Sequence, residues 1–234
     1  GTRPGGGINL FHSFGQFNVN SGDITTFQNG ISFDLNGTTL AAGLPTSNII
    51  GRVTGGNISN IYGTIQTTGF VVGGLPTNLF LVNPAGFVFG PNGSVNVGGS
   101  VSFTTAQYLR LFDKVTGNSA NFYANPASDG LANSVLAVAP VVDFGFLSPA
   151  AYGFLTPPGP NATITVKGSA LSIPPGQSIS LVGGNISIQA GTLVDGTIQA
   201  ASLRAPGGHI NLVSVASPGE VLVPSFQTGP NING

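Results

Sequence analysis

The stretch NLFLVNPAGFVFGPNGSVNVGGSVSF, residues 78–103, constrains the fold more than any other part of this chain. Four short apolar pieces, LFLV, FVF, SVNV and SVSF, are separated by NPAG, GPNG and a Gly-Gly pair. Asn83-Pro84-Ala85-Gly86 puts Pro second and Gly fourth, the pattern of a type I turn. Gly90-Pro91-Asn92-Gly93 is a second turn, with an Asn suited to a left-handed conformation. Between the turns, Phe87 and Phe89 share one parity with Val88 opposite. Val95 and Val97 flank Asn96, and Val101 and Phe103 flank Ser102. Each piece reads as a half-buried strand of three or four residues.

Such strands could form a meander of hairpins or a coil of parallel strands, and spacing separates the two. Beyond the Gly5-Gly6-Gly7 run, Gly-Gly pairs start at 55, 73, 98, 183 and 207, so neighbours stand 18, 25 and 24 residues apart (55→73, 73→98, 183→207). GGNISNI, GGNISIQ and GGHINLV repeat a Gly corner followed by an alternating strand. That recurrence is the mark of a solenoid, each turn stacking on the last at about 4.8 Å. The handedness of parallel crossovers makes the coil right-handed. The expected fold is therefore all-β, a right-handed parallel β-helix with an N-terminal cap and extra-helical β elements.

Composition agrees. The 37 Gly and 17 Pro favour turns, and helix formers are scarce. Hydrophobic residues make up 41%, enough for a sizeable core. Charged residues are only 6%, where about a quarter is usual, so the surface must be neutral and polar. A net charge of −1 gives no attraction for nucleic acid, and no basic amphipathic segment suits a membrane surface. Cysteine is absent, which suits a chain that stays unfolded while crossing an oxidising compartment. The apolar stretch 131–155 is broken by Pro140, Asp143 and Pro149, a poor transmembrane helix and a better packed loop or strand pair.

One domain, 1–234, is expected in four zones. Residues 1–50 lack the Gly-Gly rhythm and form a cap over the first open edge. Residues 51–106 are coil turns. Residues 107–160 break the rhythm as an excursion packed on the flank of the coil. Coil turns resume over 161–234. The opening on Gly1 suggests a processed or engineered fragment, and the uncapped ending TGPNING suggests that the natural protein continues.

With these residues in place, NLFHSFGQFNV, NISNIYGTIQ and NLFLVNPAGFVFGPNGSVNVGGSVSFTTA resemble the N-terminal secretion domain of two-partner-secretion exoproteins. This is the filamentous-haemagglutinin type, and the wording is similar to its cyanobacterial branch. The resemblance implies export to the periplasm and recognition there by the POTRA domains of a partner outer-membrane transporter. The exoprotein would then reach the cell surface or be released. A coil whose contacts join neighbouring turns can fold progressively, so folding nucleation by this domain is expected, with no enzyme activity and no cofactor or metal. The family motif Asn-Pro-Asn-Gly plus an aliphatic residue maps onto Asn83, Pro84, Ala85, Gly86 and Phe87, the partner-binding candidates. Ala85 stands where the family has Asn, and Phe87 where it has Ile or Leu. The upstream Asn-Pro-Asn-Leu motif has no clean counterpart, and Gly55-Gly56-Asn57-Ile58 takes its place. The cap around 9–17 would serve as scaffold.

Other readings compete for the same residues. Asn83 to Gly86 could be a structural turn only. His12, with no nucleophile motif such as GxSxG, is expected to be a hydrogen-bonded cap residue, and His209 to be exposed. The acids Asp23, Asp34, Asp113, Asp129, Asp143, Asp195 and Glu220 are scattered, which argues against a polysaccharide lyase or hydrolase and against calcium. Arg110, Asp113 and Lys114 read as a solvated ion-pair cluster. No GGxGxD repeat and no Thr-X-Thr array is present. Tyr62, Tyr108, Tyr123 and Tyr152 could stack on sugars in an adhesin, but packing between excursion and coil is the preferred reading. No nucleic acid or small-molecule substrate is expected, and the domain is expected to be a monomer.

Overall fold

The structure, a computed structural model, describes residues 1–28, 43–68, 71–72, 75–113, 115–125, 148–156, 159 and 162–223. The stretch GISFDLNG, residues 131–147, Lys114, the Gly-Gly pair at 73 and the ending TGPNING lie outside the described residues.

The chain winds through three sheet faces in turn. The first face stacks Asn9–Phe14, Asn48–Val53, Asn78–Val82, Val101–Thr104, Ile179–Gly183 and Ile210–Ser214, all parallel and in that order. The second stacks Ser59–Ile61, Gly86–Phe89, Thr163–Lys167 and Asn185–Gln189, also parallel. The third stacks Ile24–Gln28, Thr64–Thr68 and Ser94–Asn96, and a separate parallel pair, Ala170–Ser172 with Ser202–Arg204, follows. Strands of three to six residues suffice because each needs only to cross one face. The fold is a parallel β-helix.

The Gly corners have a steric reason. A Cβ on Gly99 would run into the Thr77 carbonyl, and one on Gly208 into the Gln177 carbonyl. At these corners one turn of backbone lies directly on the turn below, so only glycine fits.

Residues 9–28 form a turn of their own. Asn9–Phe14 pairs with Asn48–Val53, Val19 bridges Ile61, and Ile24–Gln28 pairs with Thr64–Thr68. The Gly-Gly interval did not reveal this turn, because after Gly5-Gly6-Gly7 the next pair comes only at 55; its second face is a single bridge. Before it, Thr2 bridges Phe11 in the antiparallel sense and closes the free edge of the first strand. Arg3 reaches across to Pro45 O at 3.0 Å and Thr46 Oγ1 at 2.6 Å, tying the start to the next turn.

At the far end the core columns are uncovered. Ile179 and Leu181 are fully buried, but Ile210 and Leu212, stacked directly on them, are 44% and 46% exposed.

The excursion leaves after Thr104 and builds a four-stranded antiparallel sheet. Its order is Ser119–Tyr123, Tyr108–Phe112, Ser148–Phe154 and Gly219–Leu222. This flank sheet covers the outer side of the first face. Phe11, Ile50, Phe80, Val82 and Val182 form one buried cluster with Leu109, Leu111, Phe122, Tyr152 and Phe154. A second cluster fills the coil interior, with Ile49, Leu79, Leu81, Phe87, Phe89 and Phe103 among its members. The first face is therefore buried on both sides. Asn78–Val82 and Val101–Thr104 are buried at every position, beyond the half-burial that their alternation implies. Gly86–Phe89 does keep Val88 less enclosed than Phe87 and Phe89, and Asn96 is exposed beside buried Val95.

Candidate functional site

Strand Asn78–Val82 on the first face turns through residues 83–86 into strand Gly86–Phe89 on the second. The Gly86 N–H donates to Asn83 O at 2.9 Å and closes the turn, with Gly86 at a φ of 110°. Asn83 is wholly buried, and its polar groups are occupied. Its backbone N–H donates to Thr104 O at 2.9 Å, and Oδ1 accepts from Ala85 N at 3.0 Å. Its Nδ2 donates to Asn57 O at 3.0 Å and to Ser59 Oγ at 2.9 Å. An amide in this position joins two successive turns of the coil, and a side chain without those donors would leave buried acceptors unpaired.

Phe87 is also wholly buried. Its ring meets Phe103 edge-on at 5.6 Å, and Phe89 meets Phe103 edge-on at 4.8 Å. Only Pro84 and Ala85 keep partial access to solvent. The five candidates are thus contiguous in space, but Asn83, Gly86 and Phe87 face inward. The segment Gly55-Gly56-Asn57-Ile58 lies against this turn through the Asn57 carbonyl.

Sequence reading passed over a polar line along one corner. Asn48 Nδ2 donates to Asn9 Oδ1 at 2.9 Å, and Asn78 Nδ2 to Asn48 Oδ1 at 3.2 Å. Ser100 N donates to Asn78 Oδ1 at 3.0 Å, and Ser178 N to Ser100 Oγ at 3.0 Å. The signal was present as a repeated Asn-aliphatic-apolar triplet: NLF at 9, NII at 48 and NLF at 78. In each, Asn joins the line, the second residue enters the coil core, and the third packs under the flank sheet.

Two expectations need correction. His12 is not anchored by hydrogen bonding at Nε2, which is buried with no partner. Its ring stacks on Phe14 at 5.7 Å and meets Phe27 edge-on at 5.2 Å. Burial, with a smaller effect from the positive amino terminus, lowers its pKa to about 4. Arg110 does not pair with Asp113. It forms a bidentate ion pair with Glu220, while Asp113 accepts from Val115 N at 2.8 Å and Thr116 Oγ1 at 2.7 Å. His209 is exposed as expected.

Of the four tyrosines, Tyr152 is fully buried, its hydroxyl 2.5 Å from Ser102 Oγ. Burial pushes that phenol far above its ordinary pKa. Tyr108 and Tyr123 lie 5.5 Å apart within the flank sheet. Tyr62 is 38% exposed and lies over Gly90. Arg52 is buried at the junction of coil and flank. It donates to Ser13 Oγ and Tyr123 O, each at 2.8 Å, and sits 4.8 Å over the Phe122 ring. Among the described residues no group of three or more His, Asp or Glu could hold a metal, and no helix is long and apolar enough to cross a membrane.

These features define a parallel β-helical domain whose most conspicuous turn is enclosed. The chain belongs to the TPS secretion domain family, which matches residues 1–233. No curated protein matches it. The family is a non-enzymatic one of two-partner-secretion exoproteins, which pass through the outer membrane by way of a partner transporter.

Proposed function

We propose that this domain directs secretion by presenting residues 83–87 to the periplasmic POTRA domains of its transporter while the chain is still extended. The observation that carries the reading is the complete burial of Asn83 and Phe87 in the fold. A receptor for these side chains must meet them before they close, and folding then withdraws them. The coil suits this sequence of events. Its contacts run within one turn and between neighbours, so it folds progressively from the end that emerges first. Folding outside would draw the chain outward with no need for ATP, and the completed turns would nucleate the remainder of the exoprotein.

The test is binding of the domain to the isolated POTRA domains, once folded and once held unfolded in dilute urea that leaves the POTRA domains intact. The unfolded chain should bind, and Asn83→Ile should weaken that binding although no fold is present to be damaged. Equal binding by the folded chain, or indifference of the unfolded chain to Asn83→Ile, would overturn recognition at this turn.

A further inference from the structure

The last described strand leaves the coil and returns to the flank sheet. Gly219–Leu222 pairs antiparallel with Ser148–Phe154, in the register Ala151–Leu222, Tyr152–Val221, Gly153–Glu220 and Phe154–Gly219. Val223 N adds a bond to Ala150 O at 2.9 Å. On one side of this strand Val221 and Val223 pack against the cluster beneath the flank sheet. On the other, Glu220 gathers donors from a strand that is not its neighbour. Arg110 Nε lies 2.9 and 3.0 Å from the two carboxylate oxygens, Arg110 Nη2 at 2.8 Å, and the Tyr108 hydroxyl at 2.9 Å.

Between these donors and Glu220 runs strand Ser148–Phe154, with Gly153 directly between Tyr108 and Glu220. A Cβ on Gly153 would strike the Tyr108 ring, so the ring crosses the middle strand only because glycine is there. Arg110 and Glu220 form the one ion pair found among the described residues. The partners lie 110 and 112 residues apart in sequence.

We propose that Gly219–Leu222 is a latch strand, fastened by Glu220 across Gly153, that locks the flank sheet onto the coil once the turn carrying Ile210–Ser214 is in place. The topology sets the order. Among the described residues Ile210–Ser214 is the last strand of the first face, and Val215 N is bonded to Gly183 O at 2.7 Å. The chain therefore lays down the later coil turns before residue 219 can reach Ser148–Phe154. Until then Ser148–Phe154 is an edge strand with unpaired backbone groups, and Tyr108 and Arg110 lack their carboxylate. A sheet completed by one strand and one clasp opens as a unit, separately from the coil. The latch does not depend on which residues the transporter reads.

Hydrogen exchange by mass spectrometry on the whole chain, comparing wild type with Glu220→Gln and Glu220→Ala, tests it. Exchange should rise about tenfold, together, in peptides covering 219–223, 148–154 and 108–112, since charge-assisted bonds to one carboxylate are removed. Peptides covering 48–53 and 78–82 should keep their protection. Acceleration confined to 219–223 in both variants, equal acceleration in the coil, or no change in either variant would overturn the latch.

Discussion

On the side of the first face that looks into the coil, two columns run Leu10–Ile49–Leu79–Val101–Ile179 and His12–Gly51–Leu81–Phe103–Leu181. On the opposite side the columns run Phe11–Ile50–Phe80–Ser102–Ser180 and Ser13–Arg52–Val82–Thr104–Val182. The same strands supply both, and from Asn48–Val53 through Ile179–Gly183 both sides are buried. Yet the inner columns are almost wholly apolar, while the outer ones include serines, a threonine and an arginine. The inner side meets other turns of the same repeat, so stacked apolar side chains satisfy it with no hydrogen bonds to arrange. The outer side meets an independent antiparallel sheet, and its polar groups are matched one at a time, Ser102 to Tyr152 and Arg52 to Tyr123 O. Repetition builds the first interface and specific pairing builds the second.

The largest effect should come from breaking the inner side. Phe103 touches both Phe87 and Phe89 and is completely buried. Phe103→Ala should lower stability by about 3–5 kcal/mol, the usual range for a large aromatic removed from a closed core. Urea unfolding followed by circular dichroism would measure it. A loss below about 1 kcal/mol would mean that the coil interior is loosely packed and that the outer interface carries the fold.

His12 is the titratable member of the inner columns and gives a smaller effect with a sign. Its folded pKa, about 4, lies below its ordinary value of 6.5, because burial disfavours the charged ring. The neutral ring is favoured in the fold, so its contribution is fully present above pH 6.5. It is lost as pH falls through 6.5 towards 4. The imidazole is only partly enclosed and solvent screens it, so the expected loss is about 1–2 kcal/mol. His12→Leu should flatten the stability curve over that window. An unchanged slope in that variant would assign the acid sensitivity elsewhere.

The contrast between the two sides also explains what could be read in advance. Alternation in Phe87-Val88-Phe89 and Val95-Asn96-Val97 gave the inward positions correctly, because those strands have one buried side. The same rule applied to Val101-Ser102-Phe103 left Ser102 facing solvent, since nothing local announces a sheet built from residues 108–123 and 148–154. The Gly-Gly rhythm revealed the coil but not its first turn, because Gly5-Gly6-Gly7 stands too far from the pair at 55 to fit the interval. At the turn of 83–87 the sequence showed the bend and its kinship. It could not show that Asn83 spends its amide on Asn57 and Ser59, residues from the preceding turn. The Arg110–Glu220 pair escaped for a related reason: nearness in sequence to Asp113 suggested a partner that the strand order does not supply.

The smallest effect should come from a single outer pairing, and it distinguishes the two kinds of interface most directly. Tyr152→Phe keeps the ring in the cluster beneath the flank sheet and removes only the hydroxyl that meets Ser102. The cost should be about 1 kcal/mol, arising from a buried Ser102 hydroxyl left without its partner. Adding Ser102→Ala to Tyr152→Phe should then cost less than the sum of the two single changes, because neither polar group remains to be satisfied. A double-mutant cycle read from unfolding midpoints measures that coupling. Strict additivity would show that the hydroxyls are solvated independently. The outer interface would then be held by shape alone, as the inner one is.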